Sequence, residues 1–180
     1  MNFIILDLEA TCWQGNDMNR TQEIIELAAF CVNGYREWVD QYQRFIKPTD
    51  HPRLSAYCTE LTTITQEQVN KAKKFDVVFP EFIDWLESLD QPQLICTWGG
   101  KDMSIIADEC RAHDIDFHML PKSINLKSQY AEIHHIGKEV GLLKALEFSE
   151  IDFEGTPHRA NDDAYNTALL FMQYQDQWQY

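Results

Sequence analysis

The chain has 180 residues, 44% of them hydrophobic and 12% aromatic, and a formal net charge of −14 at pH 7. With a sequence pI near 4.7, it is poorly suited to tracking long polynucleotides over a broad basic surface, although a local grip on a nucleic-acid end remains open. Its length and even composition predict one compact domain over residues 1–180. The five cysteines (Cys12, Cys31, Cys58, Cys96 and Cys110) form no C-x-x-C pair and predict reduced thiols rather than a disulfide framework or a zinc site. The apolar run Phe3–Leu6 is too short for a signal-peptide core, and no segment approaches a membrane span, so the expectation is a soluble, cytoplasmic protein.

The first predicted strand ends in Asp7 and Glu9, which project from one face because successive strand residues point opposite ways. Two like charges beside an apolar stretch are costly to bury, and a divalent cation bound by hard oxygen ligands relieves that cost. The alternative is a strand that simply ends as it reaches solvent. Cys12–Thr21 reads as a loop, Glu23–Val32 as a buried strand, and Asn33-Gly34 as a hairpin turn into a third, antiparallel strand, Trp38–Ile46. Leu54, Cys58 and Leu61 then follow helical spacing. Thr65 precedes Gln66-Glu67-Gln68 as an N-cap, and Phe79, Phe82, Ile83 and Leu86 mark a longer amphipathic helix.

Gln93–Trp98 is a predicted buried strand turning at Gly99-Gly100 into a helix with Asp102 at its start and Met103, Ile106, Ala107 and Cys110 on its apolar stripe. Ile124–Leu126 follows as a short strand, then short helices at Lys127–Ile136 and Leu142–Glu147, and a final helix from about Asp162 to about Gln175. Acidic or imidazole groups therefore stand at several element ends: Asp7 with Glu9, Asp102, and His158 with Asp163. Taken singly, Asp102, Asp162 and Asp163 would also serve helix N-termini, and His158 would be an ordinary loop histidine. Their combination and order are more specific than any one of them.

Four runs carry a resemblance: Asp7-Leu8-Glu9-Ala10-Thr11-Cys12, Leu54–Thr62 with Ile64-Thr65-Gln66, Thr97-Trp98-Gly99 with Asp102, and His158–Asp163. On them the chain resembles the DEDDh branch of the 3′ to 5′ exonucleases, most closely its 3′ histone messenger RNA exonuclease and RNA-interference-regulating type. The resemblance implies an α/β, ribonuclease H-like fold with a mixed, mainly five-stranded sheet flanked by helices. It implies that Asp7, Glu9, Asp102 and Asp163 hold two divalent cations, Mg²⁺ or Mn²⁺, and that His158 is the general base. Asp162, beside the fourth carboxylate, is left to the helix N-terminus.

The same resemblance assigns Ala10 and Thr11 to the terminal sugar, and Cys58, Leu61, Thr62 and Ile64 to the pocket of the last base; the alternative for Cys58 and Leu61 is that they are simply core. Trp98 either packs beneath the site or stacks on a base. Lys101 and Arg159 would touch phosphate or remain solvated. The implied activity is metal-dependent release of nucleoside 5′-monophosphates from the 3′ end of single-stranded or short nucleic acid, RNA before DNA. The competing reading is a regulatory module that binds 3′ ends or nucleotides without turnover. One departure is Thr63, where the family has glycine. Adjacent His134 and His135 point apart and are expected on a solvated helix, and the aromatic tail from Phe171 to Tyr180 is expected to fold back on the core.

Overall fold

In the computed structural model, residues 1–15 and 20–180 are described; residues 16–19 of the predicted Cys12–Thr21 loop lie outside them. Five strands, β1 (Asn2–Ala10), β2 (Ile24–Asn33), β3 (Trp38–Phe45), β4 (Gln93–Thr97) and β5 (Ser123–Asn125), form one sheet in the order β3-β2-β1-β4-β5. β2 is antiparallel to both β1 and β3, whereas β1, β4 and β5 run parallel to one another. The helices are α1 (Ala56–Thr62), α2 (Gln66–Lys71), α3 (Phe75–Glu87), α4 (Lys101–Ala112), α5 (Leu126–Ile133), α6 (Leu142–Phe148) and α7 (Ala160–Gln173).

Helices cover both faces of the sheet, which is why β1 and β2 read as nearly continuous apolar runs. Ile4, Leu6 and Leu8 pack with Leu27 and Ala29 against Phe79 and Phe82 of α3 and Ile106 of α4. Phe3 and Ile5 face the other way, with Ala28, Phe30 and Cys96, toward Tyr130 of α5 and Ala164, Ala168 and Phe171 of α7. The alternation of β1 therefore assigns Asp7 and Glu9 to the α7 side before any site chemistry is considered.

Local chemistry accounts for the element ends. Asn33 accepts hydrogen bonds on its side-chain oxygen from the amides of Tyr35 (2.9 Å) and Glu37 (3.1 Å), which closes the predicted hairpin. Thr65 and Gln68 form a reciprocal capping box at α2. A bulge in β3 lies between the Cys31–Asp40 and Val32–Trp38 pairs and turns Trp38 to the α7 side, where it stacks on Tyr165 at 5.3 Å. Tyr42 remains on the opposite side among the α3 aromatics.

Several boundaries differ from the sequence expectation. α3 begins at Phe75, a turn before the expected stripe, and tolerates Pro80 within it because Phe75, Phe79 and Phe82 are all buried. α7 begins at Ala160, not Asp162. α5 ends at Ile133, and His135 is left-handed at φ 52°. His134 is not on a solvated helix face. Its ring packs 4.2 Å from Tyr130 and 4.7 Å from Tyr174, and burial lowers its pKa. The aromatic tail does fold back, burying Phe171 and Trp178 and placing Tyr180 4.7 Å from Phe3.

Thr63 ends α1 in the left-handed region, at φ 59°. A β-branched residue is disfavoured there, and glycine is not. Thr63→Gly should raise folding stability by about 0.5–1 kcal/mol, the relief of strain being offset in part by glycine's greater freedom when unfolded. Calorimetry at constant pH checks this; a lower unfolding temperature would show that Thr63 makes contacts worth more than its strain.

Candidate active site

The row Phe3, Ile5, Asp7, Glu9 runs from the apolar core to the end of β1, where both acids keep some exposed surface although their carboxyl groups are largely desolvated. In the parallel ladder, Leu6 of β1 is level with Thr97 of β4, so the two strands end side by side. Beyond Thr97 the chain turns through Gly99, whose φ of 128° is glycine territory, and enters α4 with Asp102 in its first turn. α7 packs along β1 and β2 and brings Asp163 in its own first turn over the same strand end. Three separate parts of the chain thus deliver carboxylates to one place.

Their electrostatics record that convergence. Burial pushes the Asp7 carboxyl well above its ordinary value, and the charges of Asp102, Asp163, Glu9 and Glu26 push it further. Glu9 rises to about 8 through burial, then through Asp163 and Glu26. Asp102 rises to about 7, again chiefly through burial, although its backbone amide and Lys101 favour the charged form and Asp163 opposes it. Asp163 rises to about 6 through burial, a shift limited by the hydrogen bond from the His158 backbone and added to by its neighbours Asp162 and Glu26. Ligand atoms of Glu9, His158 and Asp163 all lie within 4.8 Å of one another. A cluster of buried oxygen donors whose like charges add to the rise of Asp7, Glu9 and Asp102 fits a hard divalent cation, which removes that repulsion.

His158 sits on a constrained turn. Its own φ is 62°, and its amide donates to the Asp163 carboxylate at 3.2 Å. Just upstream, Gly155 adopts φ 96°, and a Cβ there would fall 2.6 Å from the Asp162 carboxylate. Asp162 accepts from the Thr156 amide at 2.8 Å, so its carboxylate holds this turn as well as standing in the first turn of α7.

Glu26 is the residue that sequence reasoning missed. It lies in β2 opposite Glu9 and is completely buried. Arg159 donates to it from Nε and Nη2, both at 3.0 Å, the Ala160 amide at 3.1 Å and Gln43 Nε2 at 2.7 Å. Arg159, expected on phosphate or in solvent, is instead half-buried with its guanidinium on Glu26. The available signal was a lone acid within the apolar run Ile24–Val32, since an unpaired charge is rarely buried.

The residues expected around the nucleotide divide in two. Leu61 is partly exposed and lines a cleft of about 340 Å³ with Cys12, Trp13, Tyr57 and Lys101. Cys58, Thr62 and Ile64 are fully buried, and the Thr62 hydroxyl donates to Cys58 O at 2.8 Å, so they form the floor beneath Leu61 rather than its surface. Ala10 is buried at the end of β1; Thr11 is buried too, and its hydroxyl accepts from the Glu23 amide at 2.9 Å. Trp98 packs edge-on to Tyr130 at 5.5 Å and donates to Val140 O at 3.3 Å, the packing alternative of the two expected for it.

Comparison with known proteins identifies the family and the fold. The exonuclease family model matches residues 4–171. The human protein "ERI1 exoribonuclease 2" is 30% identical over 93% of this chain and 27% of its own length, and the mouse "3'-5' exoribonuclease 1" is 33% identical over 92% of this chain and 50% of its own. The chain thus spans half or less of these relatives. The solved nuclease domain of 3'hExo, described as a DEDDh family member bound to rAMP, superposes with a TM-score of 0.88 at 30% identity, over 97% of this chain and 92% of that one. The mixed five-stranded sheet with flanking helices is accordingly of the ribonuclease H-like type. This chain belongs to the exonuclease family, in its DEDDh branch.

Proposed function

We propose that this chain is a single-domain, metal-dependent 3′ to 5′ exonuclease that removes nucleoside 5′-monophosphates from single-stranded or short nucleic acid, RNA preferred. The observation that carries the reading is the convergence of Asp7, Glu9, Asp102 and Asp163 from three parts of the chain, with His158 within 4.8 Å of Glu9 and Asp163. The names of the two animal relatives, both exoribonucleases, support RNA as substrate.

Asp7, Glu9, Asp102 and Asp163 would hold two divalent cations, Mg²⁺ or Mn²⁺. When bound, these supply Lewis-acid activation of the attacking water and charge stabilisation at the leaving 3′ oxygen. His158, exposed and within reach of Glu9 and Asp163, accepts the proton from that water as the bond to phosphorus forms. Leu61 offers an apolar wall to the terminal base, with Cys58, Thr62 and Ile64 as its support. Ala10 and Thr11 keep the chain after Glu9 small and fixed beside the sugar, and Trp98 secures the β4 end from below. A surface of net charge −14 restricts the grip to the 3′ end itself. The free cysteines suit a reducing compartment, and the reading includes a cytoplasmic location. No helix among the described residues is long and apolar enough to cross a membrane.

With 5′-labelled RNA and DNA of several lengths, the protein should yield ladders that shorten from the 3′ end in Mg²⁺ or Mn²⁺ and stop in chelator. Asp7→Asn and His158→Ala should each lower the rate by about 100-fold or more. A wild-type rate for Asp7→Asn would remove the metal mechanism, and tight nucleotide binding without cleavage under any ion would favour a binding module.

The pKa shifts also set the pH dependence of folding. Without metal, the folded site keeps protons that the unfolded chain has already lost between about pH 4 and the value of about 8 reached by Glu9. Metal-free stability should therefore fall as pH rises through this window. A saturating divalent cation should raise the unfolding temperature more at about pH 8 than at about pH 5, because at low pH it must displace protons. An equal shift at both pH values, read by thermal fluorescence, would contradict the assignment of these carboxylates as ligands.

A further inference from the structure

We propose that Glu26 and Arg159 form a buried clasp that fixes the His158 turn against β2, making both of them positioning residues for the hydrolysis. The inference rests on the exonuclease reading above and adds residues that do not touch the reacting atoms. Glu26 is fully buried and fully used: both guanidinium bonds, the Ala160 amide and Gln43 reach it at 2.7–3.1 Å. Arg159 occupies the N-cap position of α7 yet makes no side-chain cap; its side chain runs back across the Phe45 ring, 5.3 Å from the ring centre, to β2.

A buried ion pair is a poor device for stability, since apolar residues of similar volume often serve as well. It is a good device for register, because a bidentate fork has one geometry. The element held in register here is the one next to His158. A left-handed backbone at a non-glycine residue persists only where its surroundings over-determine it. At His158 the restraints are the amide bond to Asp163 at 3.2 Å on one side and the Arg159 side chain on the other. Loss of Arg159 removes the bidentate fork and leaves the single Ala160 amide bond to Glu26 as the tie to β2, and the imidazole is then freer to relax away from Glu9 and Asp163. A displacement of about 1 Å at a reacting group costs up to about 100-fold in rate.

The test compares wild type, Arg159→Ala, and the double variant Glu26→Gln/Arg159→Met, which leaves no unpaired buried charge. Steady-state cleavage of a short labelled RNA at saturating Mn²⁺ should show kcat lowered by about 10- to 100-fold in both variants, with KM within about twofold of wild type. Guanidinium ion at about 10 mM, occupying the vacated fork, should restore part of kcat in Arg159→Ala and none in His158→Ala. Hydrogen exchange of residues 154–163 should be faster in both variants than in wild type. Wild-type kcat in a folded Arg159→Ala protein would overturn the proposal, as would a loss of activity that guanidinium does not relieve and that follows the unfolded fraction. If the single variant does not fold, the double variant decides: folded and slow supports the clasp, folded and fast refutes it. Wild-type turnover separately tests the exonuclease reading. Should wild type be inactive, unchanged exchange of residues 154–163 in the variants would still refute the clasp, and faster exchange would support it.

Discussion

Repulsion among carboxylates at one strand end is the constraint around which this molecule is arranged. Asp7 and Glu9 occupy β1 positions that the strand's alternation commits to the α7 side, at the point where the apolar row of Phe3 and Ile5 ends. Asp102 and Asp163 are then brought to the same place by helix starts. Each helix N-terminus favours a negative charge. That contribution is smaller than the burial that raises all four pKa values, to which repulsion within the cluster adds at Asp7, Glu9 and Asp102. The cluster is therefore a poor way to stabilise an empty fold and a good way to bind doubly charged cations.

The surroundings of the cluster keep it in place. Parallel pairing of β1 and β4 sets the two strand ends level, and the Gly99 turn carries the chain directly into α4. On the opposite flank, α7 is secured twice. Its apolar side packs through Ala164, Ala168 and Phe171, and its first turn is tied to β2 by the Glu26–Arg159 pair. His158 hangs between these restraints at φ 62°, exposed enough to meet water and held closely enough to remain near Glu9 and Asp163.

Much of this was legible in the sequence because the physics is local. The D-x-E at the end of an apolar strand, the Asn33-Gly34 hairpin, the Thr65 N-cap and the periodic helices depend on neighbours a few residues away. What was not legible depends on partners far along the chain. Glu26 and Arg159 are 133 residues apart, and nothing near Arg159 marks it as the partner of a buried acid. The role of Asp162 in holding Thr156 follows from the left-handed Gly155 turn, whose backbone angle spacing does not reveal. Cys58, Thr62 and Ile64 belong to a run that borders the cleft, yet only depth in the fold separates them from Leu61.

Anomalous diffraction from crystals grown with Mn²⁺ and a nucleoside 5′-monophosphate tests the central claim most directly. The account predicts two manganese peaks within coordination distance of Asp7, Glu9, Asp102 and Asp163, with the His158 ring facing the phosphate and not ligating either ion. Manganese bound elsewhere, or peaks that leave Asp102 or Asp163 uncoordinated with His158 turned away, would contradict it.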